Sequence, residues 1–225
     1  MVPSNLKMSA SMSTRSWRGS KAQIGAEPLP QSTKKTIALT GFMAVGKSVV
    51  GRRLARRLKR RFVDLDQTIE ATEEMKIHEI FNRKGEAYFR KAEKRKLREI
   101  LCQGGQVIAT GGGAIMDEEN LRLLKQRSWL ICLTASPEVL LQRSGTRKER
   151  PLLEGDDRER RIKGLLGRRE KSYAQAHVSI DTSYLSVDEA VEEIIAAIER
   201  LSGSKELKME DGRRKVPRGP RPSSG

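Results

Sequence analysis

The stretch Gly41-Phe-Met-Ala-Val-Gly46-Lys47-Ser48 decides how the rest of this chain is read. It fits the spacing G-x-x-x-x-G-K-[ST], and its flanks supply the context that spacing needs. Before it stands Thr36-Ile-Ala-Leu-Thr40, a short apolar run of strand type. After it, from Lys47 to Arg61, Val50, Leu54 and Leu58 recur every four residues, which predicts a helix with one apolar stripe. Phosphates must be wrapped by backbone N–H groups, and Gly41 and Gly46 let the chain bend around them. A helix that begins at Lys47 aims its positive end at the anion. Lys47 is expected on the β- and γ-phosphates and the Ser48 hydroxyl on Mg²⁺. The sequence therefore predicts nucleotide binding.

Outward from this loop, strands and helices alternate. Phe62-Val-Asp-Leu65 reads as a strand, 66–76 and 77–102 as helices broken near Gly85, and Gln106–Thr110 as a third strand. Residues 117–126 are helical in pattern, and Trp129–Leu133 is a continuous apolar run, as suits a strand covered on both faces. Pro137 opens a short helix, 158–174 is helical, 177–181 is a strand and 187–201 a last helix. The expected fold is α/β: three α/β/α layers around a central five-stranded parallel sheet. The aperiodic stretch 144–157, rich in charge and glycine, is expected to be a mobile lid.

The chain has 225 residues, 45 Lys+Arg and 29 Asp+Glu, hence a net charge of +16. That excess first suggests nucleic acid. Its position argues otherwise. Residues 1–35 carry +5 and 203–225 carry +4, and neither segment has the apolar residues to offset its ordering entropy. Both are expected to be disordered basic tails around one domain at 36–202. Within the domain the run 52–61 holds seven basic residues opposite the apolar stripe, as a solvated helix face would. Few aromatics are available for base stacking. No apolar run approaches the roughly 20 residues of a membrane helix. Only Cys102 and Cys132 are present, which excludes a disulfide scaffold and fits a reducing compartment. The expected location is the cytoplasm. A Ser-rich, acid-poor leader at 1–35 leaves organelle targeting as the alternative.

Three further segments carry chemistry. Asp64 and Asp66 close the second strand, where alternation would put both on one side, facing the ligand crevice. One of them suits a Mg²⁺ site through water and the other an acceptor hydroxyl; Asp66 could equally cap the next helix. Arg90 and Glu93 are three apart on a helix, so Glu93 either steadies the Arg90 guanidinium for a carboxylate or forms a plain surface pair. Gly111-Gly112-Gly113 follows the third strand and would let a small molecule lie against bare N–H groups.

In this order and at these spacings the segments resemble the shikimate kinases, P-loop small-molecule kinases of the nucleoside monophosphate kinase-like superfamily. The likeness spans about 36–200. It rests on the phosphate loop, Phe62-Val-Asp-Leu-Asp66, Gly85–Glu93, the glycine triplet, Arg150-Pro-Leu-Leu153, and Arg169 four residues before Tyr173. The resemblance implies ATP-dependent phosphorylation of the 3-hydroxyl of shikimate, a step toward chorismate and the aromatic amino acids, with one Mg²⁺ per subunit, in a monomer. It makes Lys47, Asp66 and Arg150 catalytic. It places ATP on Ala44 through Val49, Arg143 and Arg150, and the metal on Ser48, with Asp64 behind it. It places shikimate on Asp66, Arg90, Glu93, Gly111, Gly112, Gly113 and Arg169. Arg90 and Arg169 would grip the carboxylate, and Arg150 would swing onto the transferred phosphate. The family usually has Gly at the position of Ala44 and often Thr at that of Val49. A kinase for another acceptor, such as gluconate, and an inactive P-loop module acting through basic tails are the competing readings. The paired arginines and the retained catalytic set argue against them.

Overall fold

The computed structural model describes residues 35–144 and 158–210. The expected lid with Arg150, the leader before Lys35 and the chain after Glu210 lie outside the described residues. Five strands form one parallel sheet: β1 (Thr36–Gly41), β2 (Phe62–Asp64), β3 (Val107–Ala109), β4 (Ser128–Thr134) and β5 (Val178–Asp181), in the order β2-β3-β1-β4-β5. The helices are α1 (Lys47–Arg57), α2 (Leu65–Glu73), α3 (Ile77–Lys84), α4 (Glu86–Gln103), α5 (Glu118–Arg127), α6 (Pro137–Ser144), α7 (Arg158–Tyr173) and α8 (Val187–Glu210).

Strand order sets the layers. The chain steps from β1 to β2 in one direction, and from β2 to β3, β3 to β4 and β4 to β5 in the other. Right-handed crossovers then put α1 on one face and the connecting helices of the other three steps on the opposite face. α8 joins α1. This is why β1 is buried along its whole length and why Ile37, Leu39, Ile108, Leu130 and Ile131 are fully buried. The P-loop strand lies centrally, so its carboxyl end opens between β3 and β4.

Some boundaries moved, and the break expected near Gly85 held. α1 stops at Arg57, because Lys59 takes a left-handed φ of 52° and the Arg60 N–H turns back to Ala55 O at 2.8 Å. Its basic face is more than solvated: Arg53 forks onto Asp188 at 2.5 and 3.1 Å and Arg57 reaches Glu192 at 3.4 Å, tying α1 to α8. These pairs are exposed, so each adds little to stability. β2 ends at Asp64, whose carboxylate caps α2 by accepting from the Gln67 N–H at 3.3 Å. Asp66 is therefore in the first turn of a helix and does not alternate along a strand. α8 runs to Glu210, so the domain edge expected at 202 falls inside it. Gly85, at φ 80° and ψ 164°, makes the break between α3 and α4, where Phe81 and Phe89 stack at 4.9 Å. Cys132 is buried and Cys102 exposed.

Candidate active site

The phosphate loop is held from below. Gly41 has φ 132°, and a Cβ there would lie 2.1 Å from the Leu133 carbonyl oxygen of β4, so only glycine fits. Gly46 at φ 101° turns the chain into α1, which has no side-chain cap. Its first N–H groups lack intrahelical acceptors and point into the loop, where a phosphate would satisfy them. Ala44, in place of the family's usual glycine, takes φ 64°. Lys47 Nζ donates to Gly41 O and Phe42 O, each at 2.9 Å, which folds the ammonium over the loop. Val45 is buried, while the Val49 side chain is exposed.

Ser48 Oγ donates to Asp64 Oδ2 at 2.6 Å. A hydroxyl and a carboxylate side by side make an oxygen-only donor pair, which suits Mg²⁺ completed by water and phosphate oxygens. Among the described residues no group of three or more His, Cys, Asp or Glu side chains forms a protein-only metal cage. The fit is thus to a metal that arrives with its nucleotide.

Asp66 stands beside this pair. Burial first, then the Asp64 carboxylate, push its pKa up to about 6; Glu93 and Glu70 add to the rise and Lys47 opposes it. A carboxyl poised there exchanges a proton near neutrality. Arg90 donates to Glu93 at 2.8 Å and to Glu86 at 3.1 and 3.2 Å. The Glu93 side chain is only 2% exposed, so the pair is no surface decoration. Burial raises the pKa of Glu93, and Arg90 counters it. Three hydrogen bonds to two carboxylates fix the Arg90 fork, whose side chain remains half-exposed.

The glycine triplet brings these groups together. A Cβ on Gly111 would sit 2.7 Å from Asp66 Oδ1 and 3.0 Å from Glu93 Oε1. On Gly113 it would sit 3.0 Å from both terminal nitrogens of Arg90. On Gly112 it would meet Gly41 O at 3.2 Å, Arg169 Nη1 at 3.3 Å and Met43 N at 3.6 Å. Arg169 Nη1 donates to Gly112 O at 3.2 Å, and its guanidinium lies over the Phe42 ring. Acceptor-side carboxylate, both arginines and phosphate loop thus converge on three residues.

Arg143 stands apart from this cluster. It donates to Thr182 Oγ1, Thr182 O and Ser183 O, and Thr182 in turn reaches Val45 O at 3.5 Å. That places it at the far edge of the phosphate loop. Two site residues escaped the sequence reading of the site. Glu86 pairs with Arg90 from four residues earlier, a spacing that was available as a signal. Tyr173 donates its hydroxyl to Gly112 O at 2.8 Å across 61 residues, and no local pattern announces that contact.

Comparison with known proteins agrees with this geometry. The family profile described as Shikimate kinase matches residues 43–199. A shikimate kinase of Pelotomaculum thermopropionicum is 47% identical over 161 residues, covering 72% of this chain and 94% of that protein. One from Thermoanaerobacter pseudethanolicus is 41% identical, over 74% of this chain and 98% of its own. The solved shikimate kinase of Acinetobacter baumannii in complex with shikimate is 37% identical with a TM-score of 0.72, covering 75% of this chain and 94% of that one. With a phosphate loop, the Asp66 carboxylate and two arginines assembled at the carboxyl end of the sheet, and with matches of this extent, the chain belongs to the shikimate kinase family.

Proposed function

We propose that this protein transfers the γ-phosphoryl group of ATP to the 3-hydroxyl of shikimate. The observation that supports it most is the convergence of Asp66, Arg90 and Arg169 on Gly111, Gly113 and Gly112 beside the phosphate loop. Arg90 and Arg169 take the carboxylate of the acceptor and set the ring's orientation. Asp66 holds the attacking hydroxyl and accepts its proton as the oxygen bonds to the γ-phosphorus. The bond to the β–γ bridging oxygen breaks, and ADP leaves. Lys47 moves from the loop carbonyls onto the phosphates and neutralises their charge. Ser48, with Asp64 behind it, would hold one Mg²⁺, which would supply further positive charge to the phosphates. Catalysis here is positioning and charge neutralisation, the main demands of phosphoryl transfer. Arg150, which lies outside the described residues, is assigned the remaining positive charge of the clamp on the family resemblance, and Arg143 the nucleoside end. The family resemblance supports a monomer, and two free cysteines support the cytoplasm. ADP release with ATP and Mg²⁺ is the test, run without acceptor, with shikimate and with gluconate. Turnover dependent on shikimate is expected; its absence refutes the assignment.

A further inference from the structure

The Gly112 carbonyl accepts two hydrogen bonds from one helix. Arg169 Nη1 lies 3.2 Å from it and Tyr173 Oη 2.8 Å. The two side chains are four apart on α7 and share a face. Tyr173 is 7% exposed, packed in the core at the end of α7. A buried phenol needs a partner, and this one has chosen a backbone oxygen in the loop that carries the acceptor site. Gly112 in turn lies against Gly41 O and Met43 N of the phosphate loop.

We propose that Tyr173 is a positioning residue for the acceptor: it keeps the Gly112 carbonyl fixed when Arg169 leaves that oxygen for the substrate carboxylate. The proposal rests on the carboxylate role of Arg169 given above. A carbonyl oxygen has two lone pairs, so both donors fit while the site awaits substrate. A carboxylate attracts a guanidinium far more strongly than a neutral carbonyl does. Arg169 moves to it, and Gly112 O would lose half its bonding at the moment the triplet must hold still. The Tyr173 hydroxyl, aimed at the same oxygen and held by its buried ring, prevents that loss. Without it Arg169 would be the sole donor to a half-buried carbonyl, and substrate would have to compete for the arginine.

Tyr173→Phe in the full chain tests this. The expected result is a rise in shikimate KM of about 5- to 20-fold, the loss of one hydrogen bond to a group under competition. The ATP KM should stay within about twofold. On an Arg169→Lys background the Phe substitution should add much less, since the two share one oxygen and also contact each other. 4-Aminophenylalanine at position 173, which restores a donor, should recover the shikimate KM. An unchanged shikimate KM, equal rises in both KM values, additivity with Arg169→Lys, or no recovery with the amino analogue each overturns the proposal. Thermal shifts induced separately by shikimate and by ATP give the same split where turnover is low. Absence of shikimate turnover in the unaltered protein would instead refute the function itself.

Discussion

Substituting Gly113 by alanine isolates the carboxylate grip without touching a charged group. Gly113 has φ −105° and ψ −7°, which alanine adopts without strain. Its new Cβ would lie 3.0 Å from both terminal nitrogens of Arg90 and 3.3 Å from Cζ. That is tighter than ordinary contact, so the guanidinium must retreat by a few tenths of an ångström. It cannot swing freely, because Glu93 holds it at 2.8 Å and Glu86 at 3.1 Å. The fork is displaced and still paired, so the fold should survive. Charge-assisted hydrogen bonds contribute about 1.5–3 kcal/mol each, and a displacement of this size should forfeit about 1–2 kcal/mol of carboxylate binding. That is about a 5- to 30-fold rise in shikimate KM. Steady-state kinetics with each substrate varied in turn, beside a calorimetric shikimate titration, reads the effect. The ATP KM and the melting temperature should move little. A folded Gly113→Ala protein with an unaltered shikimate KM would refute Arg90 as the grip on the acceptor.

Three more perturbations probe the other parts. The buried Asp66 carboxyl, at about 6, must be ionised to accept a proton, so kcat/KM for shikimate should be flat above that pH and fall about tenfold per unit below it; an acid limb at the ordinary carboxylate value would show that burial does not govern this group. Ala44→Gly removes a left-handed alanine at φ 64°, a strain of about 1–2 kcal/mol, while the freer unfolded chain takes back about 0.4–1. A gain of about 1–4 °C in Tm is expected by calorimetry, and a lower Tm would contradict the strain. Lys47→Ala should lower kcat at least about 10²-fold at saturating ATP and shikimate, as loss of a preorganised charge at the transferred group does; near-normal turnover would end its catalytic assignment.

What the sequence disclosed was whatever is local. The strands announced themselves as apolar runs, and Arg90 with Glu93 as neighbours on a helix face. The three-residue β2 is too short for alternation to fix its end, so Asp66 was placed on a strand although Asp64 already caps the helix that carries it. Arg53 and Arg57 repeat at the same interval as Asp188 and Glu192, yet the two pairs lie 135 residues apart and only the fold sets them face to face. Tyr173 had the periodicity of a core residue, which it is; its hydroxyl's task depends on where Gly112 comes to rest. The chemistry of the phosphate loop was readable because one contiguous segment holds it, whereas the acceptor site draws on the first turn of α2, α4, the triplet and α7.

Phosphoryl transfer tolerates little error in the distance between attacking oxygen and phosphorus. Long side chains cannot set that distance alone, since Lys47 and Arg169 each rest on a carbonyl that ligands would ask them to leave. The backbone can. A Cβ at Gly41 would collide with the Leu133 carbonyl oxygen, so β1's end is pressed directly on β4. Gly112 is pressed on Gly41 and Met43 in the same way. Donor loop and acceptor loop therefore approach each other closely, with the tip of Arg169 beside them. We infer that the separation of the two substrates is set by the carboxyl ends of the central strands, and that the charged side chains bind and neutralise what those ends have placed.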